Sequence, residues 1–127
     1  MEWQVVRRLI LTRVTTLDPI LDRNNTLFRR VLAADVDLTY RRQPTGERGF
    51  MVSTGSNGKQ VQVPWSMLEE CYDQLVDSGY SRDSFRGTYA DEEASAPCIV
   101  KVIGQIFVKA KLAQRVGRTY IPVTTSA

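Results

Sequence analysis

The sequence contains no histidine. Without it, serine–histidine and cysteine–histidine nucleophile pairs are impossible, and so is any histidine-ligated metal site. The side chain that most often transfers protons near neutral pH is missing as well. Lysine- or carboxylate-based chemistry stays open, but the sequence favours a protein that is not an enzyme and holds no cofactor.

Cysteine is scarce, and long apolar runs are missing. Cys71 and Cys98 lie in apolar patterns, without the spacing of a disulfide framework or a zinc site, so we expect two reduced thiols. Arg7 and Arg8 interrupt the N-terminal apolar stretch, so no signal peptide is predicted. No apolar run is long enough to cross a membrane. These absences predict a soluble cytoplasmic protein with no membrane partner.

Acidic residues are missing from the C-terminal part of the chain, where none follows Glu93. The net charge is only +3, but its distribution is uneven, because this part carries five positive charges and no negative one. They belong to Lys101, Lys109, Lys111, Arg115 and Arg118. This asymmetry predicts either an anionic partner or an intramolecular match with the acidic segment 69–93.

At 127 residues the chain is predicted to form one α+β domain, 1–127. An N-terminal antiparallel β meander comes first, followed by three helices and a C-terminal strand. Residues 36–41 alternate like a half-buried strand, and Pro44-Thr45-Gly46 predicts a turn. The strands 50–54 and 59–63 flank a loop rich in glycine and asparagine, which is typical of a hairpin.

The first third of the chain is more ambiguous. Aromatic and β-branched residues favour a strand over 3–14, with an amphipathic helix as the alternative. Asp18-Pro19 predicts a turn. Asn24-Asn25-Thr26 predicts the start of a short helix that ends near Ala34, and a strand is its main competitor.

Two helices are predicted between residues 66 and 89. The apolar face of 67–78, a capping box of Ser66 with Glu69, and a stop at Gly79 define the first. Ser81 caps a shorter second helix, which runs to about Tyr89. Residues 90–96 are predicted to be a solvated acidic loop, and a carboxylate site for a divalent cation is the weaker alternative.

The longest apolar run, 97–112, predicts a third helix. Lys101, Gln105 and Lys109 recur every fourth residue and would form its polar stripe. Ser95 would be the N-cap and Pro97 would lie in the first turn. A doubly buried strand is the alternative. Residues 118–123 predict a final strand that follows a turn at 116–117, with Pro122 indicating an edge position.

This order of helices and a strand is similar to a winged helix. The third helix would then enter the major groove of DNA, where Gln105 would pair with an adenine edge. The basic segment after the helix would contact phosphates. The candidate nucleic-acid-binding residues are Lys101, Gln105, Lys109, Lys111, Arg115 and Arg118.

The alternative hypothesis is a homo-oligomer that binds a protein or a small ligand without catalysis. It depends on an edge strand that needs covering and on four aromatic residues expected at the surface. These are Trp3, Trp65, Tyr80 and Tyr120, although the helix that follows Trp65 favours a core position for that side chain.

Two stretches, V-P-W-S-M-L-E-E-C-Y-D-Q-L (63–75) and P-C-I-V-K-V-I-G-Q-I-F-V-K-A (97–110), carry a family resemblance. They resemble small orphan proteins carried on mobile integron gene cassettes, and they cover about a fifth of the chain. The resemblance implies a bacterial cytoplasmic protein that is often an oligomer. It carries over no functional residues.

Overall fold

A computed structural model describes residues 2–14, 19–21, 28–54 and 59–123. They form an α+β structure, as predicted. The elements in chain order are α1 (Trp3–Arg13), β1 (Pro19–Leu21), β2 (Phe28–Tyr40), β3 (Gln43–Thr54), β4 (Lys59–Pro64), α2 (Trp65–Ser78), β5 (Tyr80–Ser81), α3 (Arg82–Thr88), α4 (Ala90–Ser95), α5 (Ile99–Lys109), β6 (Ala113–Val116) and β7 (Thr119–Pro122).

The first four strands form an antiparallel sheet in the order β1-β2-β3-β4. This confirms the predicted meander and adds β1 at its edge. The predicted turn at Pro44-Thr45-Gly46 is wrong, because those residues lie in β3. Tyr40 pairs with Gln43, so the chain reverses through two residues alone, Arg41 and Arg42. Both adopt positive φ, 51° and 64°.

The N-terminal segment is a helix, so the favoured strand over 3–14 is wrong and its alternative is correct. Val6, Ile10 and Val14 are spaced by four residues and fully buried. That spacing places them on one face of the helix, which packs into the hydrophobic cluster.

The predicted helix from Asn24 to Ala34 is also wrong over its described part. Residues 28–34 belong to β2, where pairing with β3 outweighs the local helical pattern. The capping residues Asn24-Asn25-Thr26 and the loop 55–58 lie outside the described residues, as does Asp18 of the predicted turn.

Helix α2 is confirmed, but its predicted capping box is wrong. The helix begins at Trp65 with Pro64 as N-cap, so Ser66 already lies in the first turn. The Ser66 hydroxyl donates instead to Glu47 Oε1, 2.8 Å away. Gly79 ends the helix as predicted, with φ at 94° and its N–H donating to the Leu75 carbonyl.

Helix α3 and its Ser81 cap are confirmed, but the prediction of an acidic loop over residues 90–96 is wrong. Ser81 Oγ accepts from the Ser84 N–H at 3.2 Å, and the rings of Phe85 and Tyr89 lie 5.2 Å apart. Residues 90–95 form the short helix α4, whose first turn contains three acidic residues that favour the positive end of the helix dipole. No group of potential metal ligands occurs among the described residues.

Helix α5 confirms the third predicted helix. Its buried residues are Ile99, Val100, Val102, Ile103, Gly104, Ile106 and Phe107. Cys98 precedes it instead of Ser95, and Pro97 lies before the first turn, so the predicted N-terminus is shifted.

The C-terminal strand belongs to a second sheet of order β5-β7-β6. Strand β6 was not predicted, and the turn lies at Gly117-Arg118. The edge position predicted for Pro122 is wrong, because β7 is the central strand. Strand β5 is only two residues long and pairs with Tyr120 and Thr119, so Pro122 lies beyond its end and opposes Ala113 alone.

One hydrophobic cluster joins α1, α2 and α5 to the first sheet and to the small second sheet. Trp65, Tyr80 and Tyr120 are buried in it, so three of the four aromatic residues expected at the surface are core residues. For Trp65, this confirms the core position that the helix after it favoured. Within the described ranges, no helix is long and apolar enough to cross a membrane.

Candidate functional site

An open cleft of about 520 Å³ lies where the start of α3, the start of α5 and the β6–β7 hairpin meet. Its lining residues are Ser81, Arg82, Asp83, Val100, Lys101, Arg115, Arg118, Thr119 and Tyr120. Three of the six predicted site residues, Lys101, Arg115 and Arg118, are therefore brought together. The other three, Gln105, Lys109 and Lys111, do not line it. We call the cleft that the nine lining residues form the basic cleft.

The walls of the basic cleft are fixed by buried contacts behind it. The Tyr80 hydroxyl donates to the Val100 carbonyl at 2.8 Å, and Tyr80 itself is fully buried. Tyr80 also pairs with Tyr120 across β5 and β7. The start of α5 and the hairpin are thus both tied to β5, so the cations on them have a defined separation.

The hairpin presents two of the cations in different ways. Arg115 Nε donates to the Gly117 carbonyl at 3.0 Å, and its guanidinium lies 6.0 Å from the centre of the Tyr120 ring. Arg118 lies in the exposed turn itself. Among the described residues, neither Arg118 nor the half-buried Lys101 has an ion-pair partner. Two charges of the cleft are therefore available to a ligand.

Arg82 is the lining cation that the sequence analysis missed. Its guanidinium donates to Glu93 Oε1 at 2.8 Å, and Arg86 reaches the same oxygen at 3.3 Å. Hydrogen bonds from Arg82 and then Arg86 lower the pKa of Glu93, so this carboxylate stays charged. In the sequence, Arg82 is recognisable only as a residue in the first turn of a helix that Ser81 caps. The sequence does not show that this helix begins opposite the start of α5.

The carboxylates near the cleft only partly offset its positive charge. Asp83 lines the cleft and lies 3.8 Å from the Arg86 guanidinium. Glu93 pairs with Arg82, whereas Lys101, Arg115 and Arg118 have no carboxylate partner among the described residues. Guanidinium and ammonium donors on an open surface are suited to binding phosphate or carboxylate oxygens.

The exposed part of α5 is narrower than the predicted stripe. Lys101 and Gln105 are half-buried, and of the three only Lys109 is exposed. A helix that reads the major groove needs a broad exposed face. The predicted stripe is therefore not a continuous exposed surface.

The two cysteines give no sign of a reactive site. Both are free, as predicted. Cys71 is fully buried, and burial raises the pKa of its thiol well above the usual range. A thiol in this environment stays protonated and is a poor nucleophile.

Comparison with protein-family models, with curated proteins and with solved structures finds no match to this chain. The resemblance to proteins of integron gene cassettes therefore stays a prediction.

Proposed function

We propose that the protein binds nucleic acid, and that the basic cleft contacts the phosphate backbone. The observation that carries the proposal is the convergence of Arg82, Lys101, Arg115 and Arg118 on one open cleft. These residues come from three separate elements, so the fold assembles their charges rather than scattering them over the surface.

Phosphate groups are the ligands that this chemistry favours most. Arginine offers a planar pair of N–H donors that matches two phosphate oxygens, and lysine adds a point charge. The cleft is open to solvent, so its cations are accessible from outside. Contacts of this kind position a protein on nucleic acid but do not read its sequence. The cleft alone therefore predicts binding with little sequence preference.

The surrounding charge supports the same partner. No acidic residue follows Glu93, so the hairpin and the end of α5 repel no phosphate. Lys109 and Lys111 add positive charge outside the cleft. Such a field speeds the approach of an anionic polymer and falls with added salt.

A charge-reversal experiment tests the proposal. Fluorescence anisotropy with a labelled 20-base-pair DNA duplex measures binding at low salt. The variant Lys101→Glu with Arg118→Glu reverses the charge of two cleft cations, neither of which has an ion-pair partner among the described residues. We expect the dissociation constant to rise at least about tenfold, because two phosphate contacts become repulsive.

The matched control is Lys109→Glu with Lys111→Glu, which changes the net charge equally but lies outside the cleft. We expect a much smaller loss of affinity. Equal losses in both variants would mean that general positive charge is sufficient and that the cleft is not the site. Absence of wild-type binding at micromolar protein would reject the function itself. Competition with inorganic phosphate distinguishes a polymer site from a site for small anions.

A further inference from the structure

The hairpin between β2 and β3 forms a two-stranded arm whose turn is exposed to solvent. From Thr39 to Arg48 every residue is exposed, and Tyr40 keeps 66% of its surface open to solvent. The strands pair through Tyr40↔Gln43 and Thr39↔Pro44, so the arm is an ordered ribbon that ends in a tight turn. We call the residues 39–45 the arm tip.

The turn of this arm has an unexpected composition. A two-residue hairpin turn with positive φ at both positions strongly favours asparagine and glycine. Here the positions are occupied by Arg41 and Arg42, at φ of 51° and 64°. Side chains with a Cβ are strained in this region. Both side chains are exposed, so the strain is not offset by burial in the core, and this points to a role for the two guanidinium groups outside the fold.

The charge of the arm tip is concentrated at its end. Between Leu38 and Gly46 the only charged residues are Arg41 and Arg42. The Arg41 guanidinium lies 5.3 Å from the centre of the Tyr40 ring. Within the described residues, neither arginine forms an ion pair. The flanking residues, among them Pro44 and Thr45, are uncharged, so this end presents two positive charges on a narrow, uncharged support.

We propose that the arm tip inserts Arg41 and Arg42 into the minor groove of A·T-rich double-stranded DNA. The proposal rests on the nucleic-acid-binding function and adds a second contact that is separate from the basic cleft. The narrow minor groove of A·T tracts carries enhanced negative potential and attracts inserted arginine side chains. Proteins that bind this groove also place proline or other apolar side chains against the base steps. Pro44, directly opposite Thr39, lies where such a contact would form.

A ribbon that lies along the major groove would carry its base-reading groups on its flanks. The flanks of the arm tip have no charge, and both of its cations are in the turn, so insertion of the end is the better fit. The deep, narrow major groove and the wide minor groove of duplex RNA offer no equivalent site.

The decisive variant is Arg41→Asn with Arg42→Gly, which gives the turn its preferred residues. We expect the melting temperature to rise by a few degrees, because the strain is relieved. We also expect affinity for an A·T-rich duplex to fall about tenfold or more, and the preference over a G·C-rich duplex to disappear. Netropsin, which occupies the A·T minor groove, should weaken wild-type binding and leave the variant nearly unaffected.

Two further variants make the result interpretable. Arg41→Gln with Arg42→Gln removes the charges and keeps the backbone, so it tests binding even if the first variant misfolds. Arg8→Gln with Lys109→Gln removes two exposed charges elsewhere and should cost much less affinity. If the arm variants bind the A·T-rich duplex as the wild type does, or if netropsin has no effect on the wild type, the arm proposal is overturned.

The same titrations separate the two proposals. A wild type that binds no duplex rejects the proposed function and the arm contact together. If the cleft variant binds the duplex more weakly than the wild type and the arm variants do not, only the arm contact is rejected. If the arm variants bind more weakly and the cleft variant does not, the arm contact is supported and the cleft is rejected as the site of phosphate contact.

Discussion

Gly104 lies directly beneath the ring of Tyr120, so close that a Cβ at position 104 would overlap the ring carbons. A glycine in the middle of α5 lowers helix propensity. The structure gives its reason, because only the bare backbone lets β7 pack onto α5. This contact supports the floor of the basic cleft, since Tyr120 lines it.

We expect Gly104→Ala to lower the free energy of unfolding by about 2 kcal/mol, the usual cost of overpacking a filled core. The matched control is Gly87→Ala in α3, where an added Cβ meets no atom within 4 Å. That change should stabilise the protein by about 0.5 kcal/mol, because alanine is the better helix former. Urea denaturation measures both. Equal effects on the two variants would contradict the packing of α5 against β7.

Asp35 connects three elements through its carboxylate. The residue lies in an irregular part of β2 with φ at 52°, a conformation that aspartate tolerates better than most residues. Its Oδ1 accepts from Trp65 Nε1 at 2.9 Å and from Arg48 Nε at 3.3 Å. The Arg7 guanidinium is 3.5 Å away and lies over the Trp65 ring. The hydrogen bond from Trp65, followed by Arg48 and Arg7, holds the pKa of Asp35 below its usual range against the effect of burial.

This lowered pKa predicts a pH-dependent stability. A carboxyl group with a lower pKa in the folded than in the unfolded protein stabilises the fold above its unfolded pKa, about 3.9 for aspartate. The contribution is lost as the pH falls through the folded value. We therefore expect the stability difference between wild type and Asp35→Asn to be largest near neutral pH and to shrink below about pH 4. Urea denaturation at several pH values checks this, and a difference that does not change with pH would contradict it.

Asp35→Ala tests the same contact by removing the acceptor. The indole N–H of the buried Trp65 would then lose its partner, at a cost of about 2 kcal/mol in the free energy of unfolding. Asn at this position keeps an acceptor oxygen and should cost less. If both variants are equally stable, the Trp65 hydrogen bond is not what Asp35 contributes.

Glu93 restrains one cation of the basic cleft. Because its carboxylate pairs with Arg82, we expect Glu93→Gln to release that guanidinium and to strengthen duplex binding by about threefold. The control is Glu92→Gln, which removes the same charge from a neighbouring residue that lines a different groove. Anisotropy titrations compare the two variants. An equal gain from both would indicate a general charge effect, without a specific role for Arg82.

Much of the fold could be predicted because its pattern is local. Each of these patterns depends only on residues that are close together in the sequence. Examples are the polar residues of α5 at every fourth position, the apolar face of α2 and the glycine-rich loop between β3 and β4. Helix α1 was missed because its β-branched residues mimic a strand, and Val6 and Ile10 are buried by elements far away in the sequence, α5 among them. Residues 28–34 were missed because their pairing with β3 comes from outside the segment.

The site was predictable in part for the same reason. Lys101, Arg115 and Arg118 were identified from the loss of acidic residues near them in sequence. Arg82 was not, since its place in the cleft depends on where α3 begins relative to α5. The strain at Arg41 and Arg42 was also invisible, because the sequence predicted the turn three residues later, at Pro44-Thr45-Gly46.

The salt dependence of duplex binding tests the central claim most directly. The logarithm of the binding constant falls linearly with the logarithm of the salt concentration, by about 0.9 for each phosphate that is neutralised. If Lys101 and Arg118 each neutralise one phosphate, Lys101→Gln with Arg118→Gln should reduce the magnitude of this slope by about 2. The variant Lys109→Gln with Lys111→Gln should leave the slope close to that of the wild type. An unchanged slope in the cleft variant would contradict phosphate binding at the basic cleft.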